Sequence, residues 1–387
     1  MSRRVLVLGG RSPVALDHAR RFAAQGWQVH VADSIPCRLA ASSGAVRACH
    51  RIAPPRFDPQ GFVRDLTAII ASQRIDLVLP SNEEALYLSA YRPRLPGSVQ
   101  VAVEDFALMS ALHSKWGLVG LARRHGMPVP DSARVPGLAQ ARAWAAGRAV
   151  VLKPEFSRFG VHVRLYPQGI PADAPELPAL GPWVVQELLH GSELCSYAVA
   201  WRGQLLGLAC YAPRHRLGRS ASFYFEPVQR EDIRQAVAAL VQGTGYSGQI
   251  SFDWIVGADG QARALECNPR ATSGLHLFGA DAPLPAALAG EAMACAPDLS
   301  RPRMLAAVML GAGLPAALRG GRLRAWRQDW ARASDVLAQP GDRLPLAGAV
   351  ADIGSYALLA ARQGVGLREA STRDIEWDGE ALAGTGA

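Results

Sequence analysis

In this chain of 387 residues lysine is rare, the cysteines are not spaced in pairs, and long apolar runs are scarce. Its six cysteines include no CxxC pair and no zinc-ligand spacing, so neither a zinc ribbon nor a disulfide framework is indicated. No signal-peptide pattern precedes the first apolar segment, and no apolar run approaches the ~20 residues that span a bilayer. We therefore expect a cytoplasmic protein with reduced thiols and no membrane partner.

Positive charge exceeds negative charge, with 41 Lys and Arg against 33 Asp and Glu and a net charge of +8. The arginines are scattered, and no long basic run occurs. We interpret this balance as a preference for anionic small molecules, and we do not expect nucleic acid as a partner. The hydrophobic share of 49% and charged share of 19% are typical of a packed enzyme, and the length predicts two or three domains.

The first hundred residues alternate between strands and helices. Strands at VLVLGG (5–10), WQVHVADS (27–34) and IDLVLP (75–80) are separated by helices predicted over 13–25 and 59–73, which indicates parallel βαβ units. The turn GGRSPVA (9–15) lacks the GxGxxG fingerprint, so a nicotinamide-dependent oxidoreductase is disfavoured. We interpret this glycine turn as a strand-to-helix packing element or as part of a substrate pocket.

From about residue 104 the pattern changes to an α+β one. Two helices that end at Gly126 lead into strands with period-2 or continuous apolar patterns, and a further helix is predicted near 231–242. Beyond residue 300, the helix-like stretch DWARASDVLAQ (329–339) and the turn QPGDRLP suggest a smaller closing subdomain.

One segment, ISFDWIVGADGQARALECNPR (250–270), carries most of the chemistry. It is predicted to form a β-hairpin with its turn at Asp259-Gly260, a register that sets Asp253 opposite Glu266. Strand alternation puts Glu266 and Asn268 on one face and points Leu265 and Cys267 to the other. Asp253, Glu266 and Asn268 are therefore expected to converge on one side of the hairpin.

Two carboxylates opposite each other destabilise a hairpin unless a cation lies between them. Hard oxygen donors without histidine or thiolate favour Mg²⁺, and Asn268 adds a neutral oxygen. Pro269 ends the strand, so that Arg270 can turn toward the same site. The alternative is a surface acid pair with Arg270 as its counter-ion.

Four ordered motifs resemble those of the ATP-grasp superfamily over roughly residues 1–300. They are Lys153-Pro154, Gln186-Glu187 with Gly191 and Glu193, Phe252-Asp253-Trp254, and Glu266-x-Asn268-Pro269-Arg270. The fold that this resemblance implies is α/β and α+β. It has a Rossmann-like pre-ATP-grasp lobe (1–105), a two-lobed ATP-grasp domain (106–300) and a small C-terminal α+β subdomain (301–387) whose role is open.

The resemblance also implies roles for individual residues, with ATP and Mg²⁺ as cofactors, two ions in number and Mn²⁺ as an alternative ion. Lys115 and Lys153, two of the chain's very few lysines, would bind phosphate. Glu187, Leu188 and Leu189 would form a hinge that contacts the adenine, and Glu193 would bind the ribose. Ser157, Arg158 and Gly160 would belong to a glycine-poor loop that closes over the phosphates. Asp253, Glu266 and Asn268 would hold the metal, and Arg270 and Lys153 would be catalytic.

The implied activity is an ATP-dependent ligase that activates a carboxylate as an acyl phosphate and couples it to an amine or similar nucleophile. A biotin-carboxylase-like enzyme that activates bicarbonate and a non-catalytic nucleotide sensor are the alternatives. The expected partners are a small-molecule carboxylate and a nucleophile, with a homodimer by analogy. The basic loop with Arg214, His215, Arg216 and Arg219 would hold a substrate anion or would be a solvated surface loop.

Overall fold

A computed structural model describes residues 2–157, 162–216 and 222–382. Its N-terminal part is a five-stranded parallel sheet of order β3-β2-β1-β4-β5 with helices on its faces. The strands are β1 (Arg4–Leu8), β2 (Gln28–Asp33), β3 (Val46–Arg51), β4 (Leu77–Leu79) and β5 (Gln100–Val101), and the helices are α1 (Pro13–Ala24), α2 (Arg38–Ala41), α3 (Pro59–Gln73) and α4 (Glu84–Tyr91).

The starts of α1 and α3 follow from local sequence. Ser12 and Asp58 accept hydrogen bonds from the amides of Ala15 and Gly61 at 3.2 and 2.8 Å, and a proline occupies the first turn of each helix. The predicted βαβ units and their parallel pairing are confirmed.

A four-stranded antiparallel sheet of order β6-β9-β7-β8 follows two helices. The helices are α5 (Phe106–His113) and α6 (Lys115–Arg124), with α7 (Leu138–Ala145) inside the sheet segment. The strands are β6 (Ser132–Val135), β7 (Val150–Pro154), β8 (Arg164–Tyr166) and β9 (Trp183–Glu187).

The largest sheet has seven strands in the order β14-β13-β10-β11-β12-β15-β16. They are β10 (Ser192–Trp201), β11 (Gln204–Pro213), β12 (Tyr224–Val228), β13 (Gly248–Val256), β14 (Ala262–Asn268), β15 (Arg303–Met304) and β16 (Ser334–Asp335). Helix α8 (Glu231–Thr244) packs on this sheet through a core that includes Ile233, Leu240 and Trp254. Short helix α9 (Leu284–Leu288) follows β14.

The region after residue 300 differs from its sequence-based description. Strands β15 and β16 extend the large sheet, and the predicted helix over 329–339 gives way to β16 after α12 ends at Arg332. The helices are α10 (Ala306–Val308), α11 (Leu314–Arg319), α12 (Leu323–Arg332), α13 (Leu344–Gln363) and α14 (Leu367–Thr372). The domain boundaries at 105 and 300 stay predictions.

Helix α13 corrects one expectation about apolar runs. Among the described residues, this 20-residue helix is long and apolar enough to cross a bilayer by length and composition, with a mean hydropathy of 1.5 over its most apolar window. The sequence-based expectation that no run approached this length was wrong. Alanine and glycine make up much of the helix, and a segment rich in these residues is harder to recognise as a long apolar run than one rich in leucine.

Candidate active site

The hairpin of β13 and β14 brings the three candidate metal ligands together. Asp253 pairs with Glu266, as predicted, and Ser251 pairs with Asn268. Ile250, Phe252 and Trp254 alternate into the core beneath α8, which leaves Asp253 on the opposite face.

A β-bulge, rather than the turn alone, produces this pairing. The register passes from Asp253–Glu266 to Trp254–Ala264, so Leu265 has no partner across the hairpin. The loop itself spans 257–261 and is centred on Asp259, half a position before the predicted Asp259-Gly260 turn, which shifts the pairing next to the loop by one residue. The bulge adds the missing residue and restores the predicted register at the acids.

The bulge also decides which side chains face the site. Ala262, Ala264 and Cys267 are buried in the core beneath α8, whereas Leu265 and Glu266 are both half-buried on the other side. The expectation that Leu265 points with Cys267 was wrong. In a regular strand Glu266 would share the buried face of Ala264, and the bulge prevents that.

The pKa of Asp253 is perturbed by its surroundings. Burial, and then the neighbouring Glu266 carboxylate, raise the pKa of Asp253 to about 6. The thiol of Cys195, across β10, hydrogen-bonds to Asp253 and partly offsets this rise, as do the charges of Arg216 and Arg270. Two carboxylates and an amide in such surroundings fit a divalent cation, whose charge would favour the ionised form of Asp253. The described ranges contain no cluster of three or more His, Cys, Asp or Glu side chains placed to hold a metal, and the hairpin supplies two carboxylates and one amide.

Both lysines of the chain lie beside this hairpin. Lys153, on β7, donates to Gln186 Oε1 at 3.0 Å and to the carbonyl of the bulged Leu265 at 3.2 Å. Burial, and then the charge of Lys115, lower the pKa of Lys153 to about 8. In a chain whose other basic residues are arginines, the restriction of lysine to this place is itself a signal of function.

Lys115 begins α6 and reaches the same locus from another element. Its Nζ lies 3.9 Å from Glu266 Oε2 and donates to the Ser157 carbonyl at 2.7 Å. Glu155 anchors this arrangement, because it accepts a hydrogen bond from the helix-capping Ser114 and a 2.7 Å bond from Arg134. Ser157 therefore enters the site through its backbone. The predicted loop residues Arg158 and Gly160 lie outside the described residues.

The predicted hinge is held at the end of β9. The amides of Glu187 and Leu188 donate to the carbonyls of Asp131 and Ala149, and the Glu187 carboxylate accepts from the Asp131 amide at 2.8 Å. Within the described chain, Leu189 is the hinge residue whose amide has no protein acceptor. The Leu189 amide could therefore donate a hydrogen bond to a ligand at this edge of the sheet.

Glu193, predicted for the ribose, lies at the exposed start of β10. Its side chain is 55% exposed and forms an ion pair with Arg216. Arg214 and His215, from the same basic loop as Arg216, instead contact Asp329 of α12 at 3.1 and 2.9 Å. Of the described candidates for a substrate anion, Arg216 is thus nearest to the hairpin, and Arg219 lies outside the described residues.

Arg270 turns back toward the hairpin, as its position after Pro269 predicts. It donates to Asn268 Oδ1 at 3.1 Å and lies 3.3 Å from Glu83 Oε1. Sequence reasoning missed Glu83. Its signal was the position of PSNEEA directly after β4, because the carboxyl ends of parallel strands are where such sheets place ligand-binding groups.

The N-terminal glycine turn has a structural occupant. Asp33, the residue that would read a ribose in a dinucleotide site, accepts hydrogen bonds from both the backbone and the guanidinium of Arg11. Arg11 also pairs with Asp374 near the C-terminal end of the described chain, at 2.7 Å. The Asp33 carboxylate is therefore already paired within the chain, which agrees with the missing fingerprint.

Comparison with solved structures identifies the fold. The chain is similar to an N5-carboxyaminoimidazole synthetase from Staphylococcus aureus complexed with ADP, with a TM-score of 0.60, 14% identity and coverage of 78% of this chain and 82% of that one. It is also similar to a biotin carboxylase from Campylobacter jejuni in a β-γ-ATP complex (0.59, 15%, 75% and 71%) and to an L-amino acid ligase from Bacillus licheniformis (0.55, 14%, 74% and 74%).

These neighbours are ATP-grasp enzymes, and the chain has the ATP-grasp fold. The resemblance drawn from the sequence is confirmed at the level of fold. No protein-family model and no curated protein sequence matches the chain. At 14–15% identity the similarity shows a shared fold only, so a function has to be argued from the side chains of the site.

Proposed function

We propose that the protein is an ATP-dependent ligase that activates a carboxylate as an acyl phosphate and couples it to an amine or similar nucleophile. The observation that carries this proposal is the convergence of both lysines on a hairpin face with two acids and an amide. The neighbours support ATP and Mg²⁺ as cofactors, since they include ADP, β-γ-ATP and magnesium-ADP complexes.

Asp253, Glu266 and Asn268 would hold Mg²⁺ (two ions, or Mn²⁺ in their place), which when bound supplies charge neutralisation for the β- and γ-phosphates. Hard oxygen donors and the raised pKa of Asp253 fit such an ion. Lys115 and Lys153 would hold phosphate oxygens directly. The bound anion would raise the lowered pKa of Lys153 and keep its ammonium charged.

The reaction consists of two transfers. A carboxylate oxygen attacks the γ-phosphorus as the bond to ADP breaks, and the nucleophile then attacks the acyl carbon and displaces phosphate, losing its proton to solvent. Arg270 would stabilise the charge that develops on the transferred group. Its contacts with Asn268 and Glu83 fix the guanidinium before substrate arrives, which lowers the reorganisation cost.

Assays of ADP and phosphate release with Mg-ATP test the proposal. The substrates are pools of amino acids, hydroxy acids, fatty acids and bicarbonate, with mass detection of products. Carboxylate-dependent ADP release with a new amide or thioester mass is the expected result. Release of AMP and pyrophosphate would contradict the mechanism. Dependence on bicarbonate would assign a carboxylase instead, and tight ATP binding without turnover would assign a sensor.

Two hairpin variants make this assay specific. Glu266→Gln removes one metal ligand with little change in shape, and we expect turnover to fall more than ~100-fold with the fold intact. Asp259→Asn is the matched control, because Asp259 lies in the same hairpin but pairs with Arg263 in solvent. Equal rates for Glu266→Gln and the wild type would remove Glu266 from the metal site.

A further inference from the structure

Helix α13 packs by one face on helix α2 of the N-terminal part. A Cβ added at Gly348 would lie 2.4 Å from the carbonyl oxygen of Arg38, so only glycine permits this close approach to α2. One turn later, Asp352 is buried and accepts the Leu39 amide at 2.8 Å. The helix is therefore held in one orientation on the body of the protein.

The opposite face of α13 is apolar and exposed. Leu344, Val350, Ile353 and Leu358 are 70, 63, 55 and 54% exposed. The small residues between them are exposed as well: Ala347, Ala351, Gly354, Ala357 and Ala361. We call these nine positions the α13 stripe. It carries no charge, because Asp352, the one acid within this span, lies on the buried face. A contiguous apolar surface of this kind marks an interaction site.

The spacing within the stripe identifies what covers it. Positions 344, 347, 351, 354, 358 and 361 repeat at intervals of three and four, which is the a/d pattern of a helix that packs along another helix. In an antiparallel pair of two identical helices, a positions face d positions. The facing pairs are then Leu344 with Ala361, Ala351 with Gly354, and Leu358 with Ala347.

Each layer that contains a large side chain thus sets it against a small one, and the central layer holds two small residues where the helices come closest. The α13 stripe of one copy is therefore complementary in shape to the α13 stripe of a second copy. We propose that the α13 stripe is a homodimer interface, in which two copies of the chain pack their α13 helices antiparallel about a two-fold axis near Ala351 and Gly354. The proposal does not depend on the enzymatic one.

The size of the stripe suits this occupant. The four large side chains expose on the order of 400 Å² per subunit, and the five exposed alanine and glycine positions add to this area toward the ~800 Å² per partner of a standard interface. Five of the nine positions are alanine or glycine, which add little area against lipid but permit close helix–helix approach. An interfacial membrane helix would instead use large apolar or aromatic side chains on this face.

Sedimentation equilibrium of the full chain, between about 1 and 50 µM, tests the proposal. We expect a monomer–dimer equilibrium or a stable dimer. Leu358→Asp puts two charges into the interface and should raise the dissociation constant at least ~100-fold. Gln363→Glu, which adds a charge at the end of the same helix but outside the stripe, should leave it unchanged.

A size swap separates self-packing from any other use of the stripe. Ala347→Leu alone places two leucines in one layer, and Leu358→Ala alone leaves a gap, so each should weaken the dimer about 10-fold or more. The double variant restores one large and one small residue per layer and should recover most of the affinity.

Three outcomes would overturn the proposal. They are a wild-type monomer at 50 µM, a dimer that Leu358→Asp does not weaken, or a double variant no tighter than the singles. Vesicles of neutral and anionic phospholipid serve as the competing ligand. Stripe-dependent co-sedimentation of a monomeric wild type with them would assign the face to a membrane surface.

Discussion

Replacement of Asp253 by asparagine should stabilise the protein when no divalent cation is present. Asp253 faces Glu266 in a half-buried pair, and its pKa is raised from an ordinary 3.8 to about 6. At 1.36 kcal/mol per pKa unit, this rise sets a ceiling of about 3 kcal/mol on the cost of ionising Asp253 in the folded state. Asparagine keeps the shape and removes the charge, so we expect a gain of about 1–3 kcal/mol at pH 7.5.

The sign and the pH window follow from proton linkage. Between about pH 4 and 6 the folded protein binds more protons at Asp253 than the unfolded chain does, so wild-type stability falls as pH rises through this window. The advantage of Asp253→Asn should therefore be full above pH 6 and vanish toward pH 4. Saturating Mg²⁺ should cancel it at pH 7.5, because the ion stabilises the acid pair of the wild type alone.

Thermal unfolding in EDTA at pH 4.5 and 7.5, with and without Mg²⁺, measures these effects. A gain of 1–3 kcal/mol corresponds to a rise in Tm of roughly 2–8 °C for a domain of this size. Asp259→Asn is the control and should give no rise at either pH, since Arg263 lowers the pKa of the exposed Asp259. A destabilised Asp253→Asn protein at pH 7.5, or a gain equal at both pH values, would refute the acid-pair reasoning.

Four further predictions concern the hairpin and the residues around it. Because burial lowers the pKa of Lys153 to about 8, ATP affinity measured by calorimetry should fall between pH 7 and 9 in the wild type. Lys153→Ala should weaken ATP binding at least ~10-fold at pH 7 without loss of stability, and unchanged affinity would exclude this lysine from the site. Deletion of Leu265 should turn Glu266 into the core and cost about 3–5 kcal/mol, whereas Leu265→Ala should retain Mg-ATP binding, since the bulge acts through its backbone. Trp377 packs on Phe156, just before the phosphate loop, so Trp377→Ala should cost about 3–5 kcal/mol and raise the KM for ATP; an unaltered KM would separate that contact from the site.

Elements whose causes are local could be predicted from the amino-acid sequence. Helices α1 and α3 begin where Ser12 and Asp58 can cap them and a proline follows. Strand alternation determined which residues of β13 enter the core, and the motifs around the hairpin pointed to the fold. These features depend on neighbours a few residues away, which is the range over which a pattern in one chain carries information.

The register at the candidate metal ligands shows the limit of what such local patterns can predict. Asp253 was predicted opposite Glu266, and it is, but through a five-residue loop and a bulge in place of the tighter turn. The bulge is stabilised in part by Lys153, whose ammonium donates a hydrogen bond to the Leu265 carbonyl, 112 residues away in the chain. Strand alternation alone cannot reveal a backbone irregularity whose stabilising contact comes from a different sheet.

Other features of the site and surface arise from contacts between distant segments of the chain. Glu83 and Arg270 are 187 residues apart in sequence. They meet because the parallel sheet packs against the large sheet, which brings the end of β4 close to the end of β14. The small residues of α13 were inconspicuous until Gly348 and Asp352 docked one face on α2 and left the other exposed. Burial of a face, the proximity of charges and the partner of a long-range hydrogen bond are properties of the packed chain, because each depends on which distant segments exclude water from it.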